Sequence, residues 1–326
     1  MLTRVAVGLL LSLFPACCAD WNPRLAAQFL DQRQKEWFAW PRANNGATPC
    51  VSCHTGITYL MARPALRQAL GETEPTIYET GLMESLRSRV SKREPPDAPG
   101  IGVESVLAAL FLPNDATFDR MWALQIHEGE SRGSWNWFSL KDDPWEMPES
   151  KFFGASLAAL AVGSAPAAYR DRPEVKPLLA YLDRAQSGQP LHNRLTRLWA
   201  STRLPAALSA AERRALIAEV WSKQEPDGGW SIASLGPFEF KEQARHTTGS
   251  NAYATAFTAY VMEQISPGAP NPKLSQALAW LRTHQDPAGY WHADSMNHVY
   301  EAGSMQSQFM RDAATAYAVL ALLASR

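Results

Sequence analysis

The chain has 326 residues, 46% of them hydrophobic and 19% charged, with a formal net charge of −1. The apolar share excludes a disordered chain, and the balanced charge excludes a basic excess that would draw nucleic acid or an anionic membrane surface. Twelve tryptophans and 23 prolines imply heavy aromatic packing and many element boundaries.

Arg4, the apolar run 5–14 and the small-residue stretch 15–19 have the layout of a secretory signal. The run is too short to span a bilayer. Cleavage after Ala19 makes 1–19 a signal peptide and places the mature chain, 20–326, in the periplasm. Lipoprotein processing at Cys17 or Cys18 is the lesser alternative, because Phe14-Pro15-Ala16 is a poor lipobox. No integral membrane segment is expected after signal removal. Of four cysteines, the mature chain keeps only Cys50 and Cys53.

A first helix is expected from Gln28 to Trp40. The turn-rich stretch Asn44-Asn45-Gly46-Ala47-Thr48-Pro49 then leads into Cys50-Val51-Ser52-Cys53-His54, the C-x-x-C-H attachment pattern of a c-type haem. Two thiols at this spacing add to the two vinyl groups on one edge of the macrocycle, and the adjacent imidazole lands under the iron as proximal ligand. Attachment takes place outside the bacterial cytoplasm, in keeping with the export signal. A thioredoxin-like pair would want a βαβ context, and a zinc site would want two more ligands. Ile57, Leu60, Met61, Ala65, Leu66 and Ala69 recur with helical period, so the haem segment 44–70 ends in a second helix. Arg63 and Arg67, one turn apart on it, are either partners for haem propionates or solvated surface arginines.

Helix pairs continue down the chain: Gly81–Val90 with Val103–Phe111, and Val175–Ala185 with His192–Ser201. Gln224 to Trp230 and Gln285 to Trp291 both read Q-x-x-x-G-x-W. Each follows a helical stretch holding Trp221 or Trp280, and each precedes a small-residue helix, 251–260 or 312–320. Gln125 to Trp135 is a degenerate third copy, with Phe153–Leu160 as its small-residue helix. A lone helix pair cannot bury its own apolar face, so about six pairs predict an all-α fold, a closed α/α toroid rather than an open solenoid. The repeated indole would fix the turn between outer and inner helix. The repeated Gln would bond free backbone groups at a helix end.

These motifs resemble the QW motifs of the squalene–hopene cyclase and prenyltransferase superfamily, from Gln125 to the C-terminus. The resemblance implies the toroid but not the activity. The D-x-D-D acid with which cyclases protonate an alkene is absent, and no free cysteine remains for a prenyltransferase zinc. Terpene cyclisation and prenyl transfer are therefore disfavoured. Asp142-Asp143-Pro144-Trp145-Glu146 resembles a D-D-x-x-E metal motif, but its Pro-rich setting reads as a solvated loop. Taken whole, the chain resembles a bacterial mono-haem cytochrome-c-type protein with a cyclase-like toroid.

In such a toroid the loops entering the inner helices ring one mouth of the cavity, and the haem should sit there. These loops carry His127, Glu128, Glu130, Arg245, His246, His292, Asp294, Met296, His298 and Met305. His54-Thr55-Gly56 and His246-Thr247-Thr248-Gly249 look alike, each preceding an inner helix. A distal iron ligand is expected among His246, His298, Met296 and Met305, with the two histidines leading. The favoured function is a haem-dependent redox enzyme acting on a small molecule in the cavity, with Trp135, Trp137, Phe138, Tyr290 and Tyr300 as candidate lining. The alternatives are an electron carrier serving a redox partner protein, and a haem sensor or scaffold.

Overall fold

The computed structural model describes residues 20–44, 48–90, 100–238 and 249–325. The expected signal 1–19, together with Arg245 and His246, lies outside the described residues. Among those described, the chain is all-α, with isolated β-bridges as its only extended pairing.

The described residues form fourteen α-helices, in order: α1 (Pro23–Ala39), α2 (Gly56–Leu70), α3 (Ile77–Val90), α4 (Ile101–Phe111), α5 (Asp115–Ala123), α6 (Ser150–Ser164), α7 (Ala167–Arg170), α8 (Val175–Ala185), α9 (Leu191–Ala200), α10 (Ala210–Ser222), α11 (Ile232–Leu235), α12 (Ala252–Ile265), α13 (Pro272–Thr283) and α14 (Phe309–Ala324). Their starts are capped by sequence. Asn22, Asn251 and Asn271 turn their side chains onto the first free N–H groups of α1, α12 and α13. Asn114 with Thr117 and Ser209 with Glu212 form capping boxes at α5 and α10. None of the described helices is long and apolar enough to cross a membrane.

Helices α4, α6, α12 and α14 are apolar nearly all round and rich in small residues, which marks helices buried on every side. Contacts pass from α4 to α6, then to α9, α12, α14 and α2. Around them lie amphipathic helices. In α8, Val175, Leu178, Tyr181 and Leu182 form one buried stripe, and α1, α3, α5, α10 and α13 also pack against this row of helices. The small residues let neighbours approach closely. A Cβ on Gly154 of α6 would lie 2.2 Å from the Trp137 indole.

The repeated motif proves to be a joint between neighbouring units. Trp135, Trp230 and Trp291 are fully buried. Each indole N–H donates to a carbonyl near the C-terminus of the preceding outer helix: Met121 at 2.7 Å, Val220 at 3.0 Å and Leu281 at 2.8 Å. The glutamines do more than cap their own loops. Gln125, Gln224 and Gln285 each donate to the motif glycine's carbonyl and also to the start of the next outer helix, at Glu174, Lys273 and Asn22. The last of these spans 263 residues and is two-sided, since the Asn22 N–H also donates to Gln285 Oε1 at 2.6 Å. Gly133, Gly228 and Gly289 all hold φ between 94° and 96°. Each presses its bare α-carbon against that next helix, near Pro177, Gln276 and Leu25. Helix α14 accordingly packs on both α1 and α2.

Candidate functional site

Ser52, inside the C-x-x-C-H stretch, caps the helix that follows it. Its hydroxyl accepts from the Thr55 N–H at 3.1 Å and the Gly56 N–H at 3.0 Å, starting α2 immediately after His54. Two side chains of α1 hold the stretch in place: Trp37 donates to the Cys50 carbonyl at 2.7 Å and Gln34 to the Thr55 carbonyl at 2.8 Å. Cys53 and His54 are buried, Cys50 is half-buried, and both thiols are free.

The imidazole of His54 lies 3.5 Å from the Phe309 ring, nearly parallel to it, with Trp37 and Trp145 at 5.4 and 6.2 Å. Its Nδ1 is 2.9 Å from Thr55 Oγ1, and that hydroxyl donates to Asp312 Oδ2 at 2.7 Å. Because Thr55 spends its only hydrogen on the carboxylate, it accepts from His54, and Nδ1 is the protonated nitrogen. Asp312 is buried on α14 and is gripped by Arg33 through Nε at 2.7 Å and Nη2 at 3.2 Å. Burial pushes the Asp312 carboxyl up, and the Arg33 guanidinium pulls it back toward the charged form. His54 Nε2 has no hydrogen-bond partner among the described residues, although the side chain is buried. Burial lowers His54 to about 3, so the ring is neutral and Nε2 carries a lone pair.

His54 opens onto a small cleft of about 20 Å³. Its walls are Asp142, Asp143, Trp145, Glu146, Tyr300 and Phe309, among others. The D-D-x-x-E stretch is thus not a solvated loop. Asp143, Trp145 and Glu146 are buried, with the Trp137 indole donating to the Trp145 carbonyl at 2.9 Å. Among the described residues no group of three or more His, Cys, Asp or Glu side chains is gathered as for a metal ion. Burial, helped by Asp142, raises Glu146 to about 7. Asp142 accepts from the Tyr300 hydroxyl at 2.5 Å and lies 3.0 Å from His298 Nε2.

The remaining predicted residues divide. His298 does not line the cleft; its Nε2 lies 3.0 Å from the cleft-lining Asp142 and 3.0 Å from the Lys141 carbonyl oxygen. Met305 does not line the cleft; its sulfur accepts from Arg33 Nη2 at 3.1 Å, joining the network behind Nδ1. Met296 is buried beside the cleft-lining Ser295, and His246 lies outside the described residues. Arg63 pairs with Asp31 at 2.9 Å and Glu72 at 2.7 Å, and Arg67 with Glu79 at 3.4 Å. Both arginines therefore already hold carboxylates of the fold. His127, Glu128, Glu130, His292 and Asp294 are exposed. Tyr290 packs on Phe29 and under Arg311, and Trp135 belongs to a joint. The loops before α6 and α14 do converge on His54, but they bring Glu146, Asp142 and Tyr300. Thr55, Asp312 and Phe309 went unread in sequence. The available signal was the single acid of α14, Asp312, standing at the head of its small-residue run.

The donor set fits a covalently attached haem: two unbridged thiols on one loop beside a buried imidazole whose Nε2 is unclaimed. It does not suit a thiol-redox pair. Burial pushes Cys50 up to about 11 and Cys53 well above the ordinary thiol range, the reverse of an activated cysteine. No family model and no curated protein matches the chain.

Proposed function

We propose that the chain is an exported, periplasmic c-type haem protein and a redox enzyme. Thioether bonds from Cys50 and Cys53 would hold its single haem, with His54 as proximal ligand. The observation that carries this reading is the buried His54, its Nδ1 locked onto Thr55 and its Nε2 unclaimed between two free thiols. We also propose that the scaffold is an α/α toroid with the haem loop at one mouth. The inner-helix contact order supports this, as does the Gln285–Asn22 bridge between the last unit and the first.

A haem held there supplies one-electron chemistry at its iron. Thr55 and Asp312 keep the proton on Nδ1, so Nε2 stays available as a ligand, and Arg33 pulls Asp312 toward its charged form against its burial. Phe309, Trp37 and Trp145 exclude water from the imidazole. Glu146 supports an enzyme over a carrier. At about 7, its buried carboxyl can give or take a proton at neutral pH beside the motif. Tyr300 holds the neighbouring Asp142 in place.

The test is to export the full chain from a host with the cytochrome c maturation machinery. The purified protein is then assayed by intact mass and by absorption with and without carbon monoxide. One covalent haem, lost in Cys50→Ser and Cys53→Ser, is the expected result. A chain that leaves the host without haem overturns the reading. A haem that ignores carbon monoxide and peroxide sinks the enzyme in favour of a carrier.

A further inference from the structure

The buried interior holds a line of aromatic rings that begins at His54 and ends at a second cavity. Trp145 lies 6.2 Å from His54, Tyr253 5.5 Å from Trp145, and Tyr317 6.0 Å from Tyr253, centroid to centroid. Tyr260 follows 6.0 Å from Tyr317, and Trp199 5.3 Å from Tyr260. Tyr260 and Trp199 line a cavity of about 590 Å³ at the C-terminal ends of α4, α6 and α9, with Met61, Phe111 and Arg203 among its walls. The line thus connects the motif at the start of α2 with a pocket large enough for a small organic molecule.

One member of the line has a proton acceptor built beside it. The Tyr253 hydroxyl is 2.8 Å from His192 Nε2, and both side chains are fully buried. Asn193 donates its amide hydrogen to Gln189 at 2.9 Å, leaving its Oδ1 to accept from His192 Nδ1 at 3.1 Å. His192 therefore carries its hydrogen on Nδ1 and accepts the phenolic hydrogen at Nε2. Burial holds His192 down at about 4, so the imidazole is neutral and free to accept. Packing does not require this pair. Phe and Leu of similar volume would fill the space and leave no polar group to satisfy.

We propose that Tyr253 is a redox-active tyrosine that relays single electrons between the haem site at His54 and a donor in the far cavity, with His192 taking and returning its proton. The inference rests on the haem reading above. In the forward step one electron leaves Tyr253 through Trp145, and the phenolic proton crosses to His192 Nε2. A neutral phenoxyl and an imidazolium remain. The oxidant is a peroxide, whose reduction to water consumes two electrons and two protons. One electron would come from a haem held by Cys50, Cys53 and His54 and one from Tyr253, and the protons would come from solvent. In the return step a hydroquinone or phenol in the far cavity gives one electron through Trp199, Tyr260 and Tyr317. His192 then hands its proton back to Tyr253, and the donor's proton leaves by the cavity mouth. A second donor equivalent restores the centre by the same line.

The experiment mixes the haem-loaded protein with hydrogen peroxide, freezes it within milliseconds and records its paramagnetic resonance spectrum. A neutral tyrosyl radical is expected, lost in Tyr253→Phe whose resting haem bands match the wild type. If that variant fails to fold, 3-fluorotyrosine placed at position 253 should add fluorine splitting to the signal. An unchanged radical in Tyr253→Phe overturns the relay. So does an unsplit signal with the fluorinated ring, or haem bands that respond to peroxide with no organic radical. Absence of haem bands before mixing overturns the haem reading itself, and the relay with it.

Discussion

Replacing Gly289 with alanine tests the seam between the last unit and the first. Gly289 sits at φ 96°, and an added Cβ would lie 2.3 Å from the Leu25 carbonyl oxygen on α1. The left-handed conformation alone costs a non-glycine residue about 1–2 kcal/mol. A carbon–oxygen contact wants about 3.3–3.6 Å, so α1 must retreat by about 1 Å. That movement breaks the two hydrogen bonds joining Gln285 to Asn22, at 2.6 and 3.0 Å, each worth about 0.5–1.5 kcal/mol net. The expected loss for Gly289→Ala is thus about 2–5 kcal/mol. Gly71→Ala is the control: its φ is 72° but nothing lies within 4 Å of the added carbon, so it should lose only about 1–2 kcal/mol. Guanidinium titrations of both variants read the difference directly. Equal midpoints would refute the claim that α1 is pinned at this joint.

Three further outcomes follow from the site. In haem-free protein at pH 8, a Cys50 thiol near 11 should alkylate roughly 200-fold slower than free cysteine; a rate close to the free amino acid would show the thiols to be activated. Thr55→Val cuts the link between Nδ1 and Asp312 without unpairing Arg33. Losing a second-shell partner worth about 10–100-fold should raise the reduction potential of the haem-loaded protein by about 60–120 mV, and an unmoved potential would uncouple Asp312 from the imidazole. His192 is held neutral down to about 4 in the fold, whereas an unfolded imidazole takes a proton below about 6.5. Its contribution to stability is complete above that pH and is lost as pH falls through the window. The stability curve of His192→Gln should therefore be shallower there by about 1.4 kcal/mol per pH unit; identical curves would mean that His192 already titrates normally.

The helices were legible because their signals are local. The small-residue runs at 251–260 and 312–320 need no knowledge of neighbours, whereas α1 starts at Pro23 on its Asn22 cap, ahead of the start expected at Gln28. The Q-x-x-x-G-x-W repeat also announced its structural role, although its reach across to the next unit was hidden. A glutamine's second partner, such as Lys273 for Gln224, is not written beside it. The site was legible only in its C-x-x-C-H stretch, Cys50, Cys53 and His54. Asp142-Asp143-Pro144-Trp145-Glu146 reads as a solvated loop from composition, and burial of Trp145 against the Tyr253 ring overrides that reading. Arg63 and Arg67 have the right spacing for propionates, but Asp31, Glu72 and Glu79 come from elements whose approach a one-dimensional pattern does not reveal. Asp312 lies 257 residues from Thr55, so its role appears only when α14 is laid against α2.

The Gln285–Asn22 bridge repeats, across a break in the covalent chain, the bond that Gln125 makes to Glu174 and Gln224 to Lys273 within it. Residues 20 and 325 both approach the Arg282 guanidinium, Asp20 at 3.8 Å and Ser325 at 3.4 Å. The folded molecule thus treats its seam as one more ordinary joint. A chain rewired by a short linker from 325 to 20 and reopened in the exposed loop near Gly188 should reach the same structure from a different starting point.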